Sequence, residues 1–252
     1  MNLTSVTKGL DQMIRTFGSI LDDSASSVVD VAKSQAIASR KIYDERKRRT
    51  DNPALAIAPW GYTIFPERPL RFKPTEPTKG FDAQVDLFCS VRWENDNELP
   101  VEQDICLRVW NQSAAYRDTW DHDRILETLC DDGRTNRNRV MLRCHFDLAN
   151  IDQLGPRYHL QFGGNPREDE LCWFPELINL PRFIYPPMDL VLVCEFVAAS
   201  FFQDEYNKKL KKDKQWKSVL KLSQQHLLGS YYYQCHQAIE RGDSLVGHLW
   251  NV

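Results

Sequence analysis

Two histidines and an aspartate stand where neighbouring strands could bring them together. His145 and Asp147 are two residues apart in the alternating run Val140, Leu142, Cys144, Phe146 and Leu148, so both point away from its apolar side. His159 lies on the polar side of the next alternating run, Tyr158, Leu160 and Phe162. If those strands pair, two imidazoles and a carboxylate converge, as a metal ion or a general acid–base pair requires. A metal-dependent hydrolase or nuclease effector using His145, Asp147 and His159 is the enzymatic reading. The same residues also describe the wet face of an ordinary sheet, which is the reading the sequence favours. No dinucleotide fingerprint, phosphate loop, nucleophile elbow, HExxH helix or calcium loop accompanies them. The sequence therefore assigns no catalytic residue or metal ligand and implies no cofactor.

Other charged residues carry weaker chemistry. Asp189 and Glu195 lie six apart in an apolar segment, roughly 120° from one another on a helix, and share an arc only loosely. They read as a paired acid site or, more simply, as a helix edge facing Arg157 or Arg182. Asp189 also follows Pro187 in the first turn, where a carboxylate favours the positive end of the helix dipole. Two basic runs, one holding Arg46, Lys47, Arg48 and Arg49 and the other Lys211 and Lys212, are the residues that would touch phosphates in a nucleic-acid-binding accessory. Acidic residues are interleaved with both, and the net charge of -3 exerts no overall pull toward nucleic acid.

The elements that must position these groups follow from periodicity. Residues 1–49 read as a helical arm, with Leu3, Val6, Leu10, Met13, Phe17 and Ile20 on one stripe. Val28, Val31, Gln35, Ala38 and Ile42 continue a weaker stripe on a second helix that Asp23 or Ser24 would cap. Residues 50–80 form a proline-rich connector with room for a short edge strand near Tyr62–Phe65. Residues 81–252 form an α+β body, with strands over about 82–165 and helices over about 187–241. Ala83, Val85, Leu87, Cys89, Val91 and Trp93 mark one long strand, and Ile105, Leu107 and Val109 a second. A polar hairpin loop joins them at Glu94–Glu98, and a short helix is expected over Asp121–Cys130. The fold class is thus α+β: an antiparallel sheet of four or more strands covered by C-terminal helices, with an N-terminal helical arm.

Seven cysteines, with no CxxC pair, fall mostly within apolar patterns and read as buried thiols in a reducing compartment. The N-terminus lacks the apolar run of a signal peptide, and Met188–Phe202 is too short to span a bilayer. A cytoplasmic protein without membrane contact is expected. Tyr231, Tyr232 and Tyr233 cannot all face one way on a helix, so at least one is exposed.

The stretch GPRYHLQFGG…LPRFIYPPMDLVLVCEFVAASFF resembles a segment of uncharacterised bacterial proteins found alongside antiviral defence systems, including CRISPR accessory components. The resemblance covers about 50 of the 252 residues and implies a defence-associated accessory or binding protein, with no catalytic residues attached. The leading reading is a non-catalytic interaction protein. Leu3, Val6, Leu10 and Phe17 of the arm, with Tyr233 and Trp250, would meet another protein, and the oligomeric state stays open.

Overall fold

A computed structural model describes residues 1–49, 57–78, 81–96, 98–111, 139–149, 156–163, 171–172 and 182–244. The helix expected over Asp121–Cys130 and the tail residue Trp250 lie outside the described residues. The fold class read from the sequence holds. Among the described residues, two helices, α1 (Leu3–Phe17) and α2 (Ala25–Arg49), precede nine strands that join in one almost wholly antiparallel sheet. Helices α3 (Leu190–Phe201), α4 (Gln203–Lys208), α5 (Lys214–Gln224) and α6 (Ser230–Glu240) follow.

Strand β4 (Phe81–Trp93) is the spine of the sheet. Its inward residues Ala83, Val85, Leu87, Cys89, Val91 and Trp93 are all buried, as the alternation demands. One side of β4 pairs with β5 (Glu102–Asn111), which pairs with β6 (Arg139–Leu148), then β7 (Tyr158–Phe162) and β9 (Phe183–Ile184). Its other side takes three short strands in succession: β1 (Trp60–Ile64), β2 (Leu70–Arg71) and β3 (Thr75–Thr78). Much of the proline-rich connector is therefore sheet. Pro66, Pro69 and Pro74 divide it into short pieces because proline cannot donate to a ladder. Strand β8 (Leu171–Cys172) runs parallel to the start of β6.

The arm is a structural part of the body. Val6, Leu10, Met13 and Phe17 are buried and Leu3 is half-buried, all in the hydrophobic cluster that also holds β4, β5 and α3. The Phe17 ring meets Trp216 of α5 edge-on at 4.5 Å, and Cys194 Sγ of α3 lies 3.2 Å from Met13 Sδ. At Gly9 a Cβ would come within 3.0 Å of Val191 Cγ2, so the absent side chain sets the spacing of α1 and α3. Leu3, Val6, Leu10 and Phe17 are thus not a partner surface: the body already covers them.

Helix α2 differs from expectation in a second way. Its buried face is Ala25, Val29, Ala32, Ala36 and Tyr43, whereas Val31, Ala38 and Ile42 of the expected stripe face outward. The small alanines let the helix lie close against β1. There Gln35 Oε1 accepts from Thr63 N at 2.8 Å, and Ser39 Oγ accepts from Gly61 N at 3.0 Å and donates to its carbonyl at 2.9 Å. These bonds satisfy the outer backbone groups of an edge strand, which would otherwise be free to pair with another chain.

Helix α3 begins where Pro186–Pro187 end. Asp189 caps it, accepting from Leu192 N at 2.9 Å. Helices α5 and α6 form one rod interrupted by a π turn at Gln225–Gly229, and Gly242 stops it with a φ of 80°. Cys89, Cys106, Cys144, Cys194 and Cys235 are unpaired and buried, and burial pushes the thiols of Cys89 and Cys144 up to about 12. No helix among the described residues is long and apolar enough to cross a membrane.

Phe17→Ala should lower unfolding stability by about 3–5 kcal/mol, the cost of emptying an aromatic core site. Urea denaturation should still show a single transition. A near-wild-type midpoint would mean that the arm is energetically separate from the body.

Candidate functional site

The sheet face away from the helices is polar, and strand register arranges it in three rows. Ser90, Asp104, Asp147 and His159 lie directly opposite one another across β4, β5, β6 and β7. Phe88, Cys106, His145 and Gln161 form the next row, and Asp86, Arg108 and Arg143 the third. Directly opposed residues share a face, so each row is a line of neighbours. This face is only partly wet, less so than the sequence had suggested. Asp86, Cys106, Arg108, Arg143 and His159 are all buried.

The third row is an ion network. Asp86, fully buried, accepts from Arg71 Nε at 2.8 Å, Arg71 Nη2 at 3.0 Å and Trp110 Nε1 at 2.9 Å. Arg108 Nη2 lies 3.7 Å from the same carboxylate, and its guanidinium sits 4.7 Å above the Phe88 ring and 5.1 Å above Trp110. A buried carboxylate needs this much compensation, and removing one partner strands the rest.

The candidate site lies in the other two rows. Asp104, His145 and Asp147 each bring one ligand atom within 4.8 Å of the others. His145 and Asp147 converge as their two-residue spacing predicts. His159 does not join them. It pairs opposite Asp147, but its buried Nδ1–H donates to the Pro156 carbonyl at 3.2 Å. Burial and the Arg182 charge lower its pKa, which keeps this ring neutral. Asp104 takes the third place. It immediately precedes the Ile105, Leu107, Val109 run, so alternation put it on the polar side, but nothing local told which residue of β6 it would oppose.

His145 is the hub. Its Nδ1 lies 3.5 Å from Asp104 Oδ1, and its Nε2 lies 3.6 Å from Cys106 Sγ. Arg143 Nε–H donates to the same Nε2 at 3.0 Å, a bond that requires the lone pair of a neutral ring. The carboxylates pull the other way. Burial opposes a charge on His145, but the Asp104 hydrogen bond, Cys106 and nearby Asp147 outweigh it and push its pKa up to about 10. Charging the ring turns Nε2 into a donor and excludes the Arg143 bond, leaving Cys106 Sγ as the acceptor in reach. Asp147 is raised to about 7, first by burial and then by repulsion from Asp104, with His145 opposing. Asp104 is lowered, chiefly by its hydrogen bond to His145. The cluster can hold and relocate a proton, and its three ligand atoms suit a cation.

The remaining candidates are structural or separate. Asp189 accepts from Leu192 N and from Ser223 Oγ at 2.7 Å, while Glu195 accepts from Tyr206 at 2.6 Å and from Trp216 Nε1, so they do not form an acid pair. Arg46, Lys47, Arg48 and Arg49 close α2, where Lys47 reaches Asn95 at 3.2 Å beyond the end of β4. Lys211 and Lys212 lie just after α4, whose preceding residue Phe202 packs on Phe72 beside the start of β4. The two basic runs therefore stand at opposite ends of the sheet and make no common stripe. Tyr231 is buried, whereas Tyr232 and Tyr233 are 59% and 66% exposed. No protein-family model, curated protein or solved structure matches this chain.

The two upward shifts act on stability in one direction. Asp147 holds its proton more tightly in the fold than in the unfolded chain, so its contribution is complete below about pH 4 and is lost as pH rises through about 7. His145 adds a further loss between its ordinary 6.5 and about 10. Asp147→Asn should therefore flatten the decline of the urea midpoint between about pH 4 and 7 relative to wild type. An unchanged slope would remove this carboxyl from the account.

Proposed function

We propose that this protein is a docking module, and that its contact surface is the β9 edge of the sheet with the adjoining face of α6. The observation that carries this reading is the contrast between the two sheet edges. Helix α2 closes the β1 edge through Gln35 and Ser39. Among the described residues nothing pairs with the outer side of β9, and both its side chains are exposed, Phe183 at 48% and Ile184 at 43%. A free edge bearing large apolar side chains is a template for an added strand.

Aromatic side chains extend this edge. Phe183 packs against Phe162, and Phe146 against both Tyr185 and the partly exposed Phe196. Tyr185 lies near Tyr232, and Tyr232 meets Tyr231 edge-on at 5.3 Å. Ile239 stands two turns beyond Tyr232 on α6, also exposed. Rigid aromatic anchors of this kind are what protein interfaces are enriched in. The occupant that fits is an extended segment of a protein partner, with apolar side chains at alternate positions. This keeps the accessory role implied by the resemblance at Gly155–Phe202 but moves the contact from the arm to the opposite edge.

The test is co-purification from the native host. Wild type should retain a stoichiometric partner, and the double variant Phe183→Ser/Ile184→Ser should lose it while its melting temperature stays within a few degrees. Ile37→Ser, which alters an exposed apolar residue on α2, should retain the partner. Retention by the edge variant would reject the reading, as would a partner lost equally in the Ile37→Ser control. Wild-type dimers in light scattering that the edge variant loses would assign the edge to a second copy.

A further inference from the structure

Going beyond the docking reading and independent of it, we infer that Asp104, His145 and Asp147 form a binding site for one first-row divalent cation of the zinc class. The three come from adjacent strands, and register brings their ligand atoms within 4.8 Å of one another. Side chains that meet only by register make a rigid set, because each is held by a backbone ladder rather than by a loop. One imidazole nitrogen with two carboxylate oxygens is a donor set suited to Zn2+, whereas Mg2+ prefers oxygen ligands alone and keeps most of its water.

Two features mark the cluster as more than a chance of surface charge. Asp147 Oδ1 is shut off from water and has no hydrogen-bond partner, an arrangement that leaves an acceptor without compensation. Asp104 and Asp147 stand directly opposite one another, and carboxylates placed that way repel unless a proton or a cation lies between them. The Asp104 side chain is 65% exposed while that of His145 is 15% exposed, so one ligand faces solvent and the others lie behind it. That gradient gives an ion a path inward.

The surroundings define what loading would change. Coordination through Nδ1 of His145 leaves the ring proton on Nε2, which then faces Cys106 Sγ at 3.6 Å in place of the Arg143 donor at 3.0 Å. Arg143, held on the Nε2 side of the ring, opposes the ion and limits its affinity.

Metal-free full-length protein titrated with ZnCl2 by calorimetry should show one site. Asp104→Asn and His145→Gln should each weaken it about tenfold or more. His226→Gln, in the π turn, should leave affinity unchanged, and MgCl2 at the same concentrations should give no binding. If His145→Gln fails to fold, Asp104→Asn decides alone, since its exposed side chain tolerates the change. No zinc binding by wild type up to about 1 mM would overturn the site. Binding that neither variant weakens would overturn it equally, by placing the ion elsewhere.

Discussion

The outer backbone groups of β1 require partners, and the architecture depends on how they are met. Gly61 and Thr63 direct theirs at α2, where Ser39 and Gln35 receive them. A helix can reach a strand's backbone only if its own facing side chains are small, which explains the alanines of the α2 contact face. Gly61 is constrained from the other side too. A Cβ there would stand 2.0 Å from the Val91 carbonyl oxygen, so β1 and β4 approach more closely than any side chain permits. Helix α2 in turn carries α1 against α3 and α5, and the arm becomes a wall of the core.

Closing one edge this way gives the sheet a direction. The β1 side is buried under a helix, whereas the β9 side ends in exposed Phe183 and Ile184 beside the aromatic rings of α3 and α6. Among the described residues the outer backbone groups of β9 have no strand or helix against them. The Asp86 network and the Asp104, His145 and Asp147 cluster lie on the sheet face between these edges. Asp86 anchors its guanidinium network toward β4, and the Asp104, His145 and Asp147 cluster occupies the next two rows along the strands.

The polar face also shows why charge on one side of a sheet does not make that side wet. Arg108 and Arg143 are buried and oppose one another directly, a pairing that would be repulsive alone. Asp86 beside Arg108, and His145 Nε2 beside Arg143, supply the acceptors that make it tolerable. The network and the cluster are thus coupled through Arg143: the proton state of His145 decides whether the Arg143 Nε–His145 Nε2 bond forms.

Local pattern alone determined a good deal. The alternation in β4 and β5 named their buried residues correctly, and the stripe of α1 was read residue by residue. It also put His145 and Asp147 on one face. What tertiary structure alone decided were the partners. Periodicity states which side of an element is apolar but not what lies against it. The arm's stripe was therefore legible while its burial against Trp216 and Met13's neighbour Cys194 was not. In α2 the hydrophobic residues misled, because backbone hydrogen bonds to β1, invisible in hydropathy, turned the alanine face inward. Likewise, pairing register between strands far apart in sequence put Asp104 and His159 on either side of Asp147, and the Pro156 carbonyl held His159 away, leaving Asp104 as the third member. One residue of slip would have sent every one of those side chains to the other face, and no local signal specifies it.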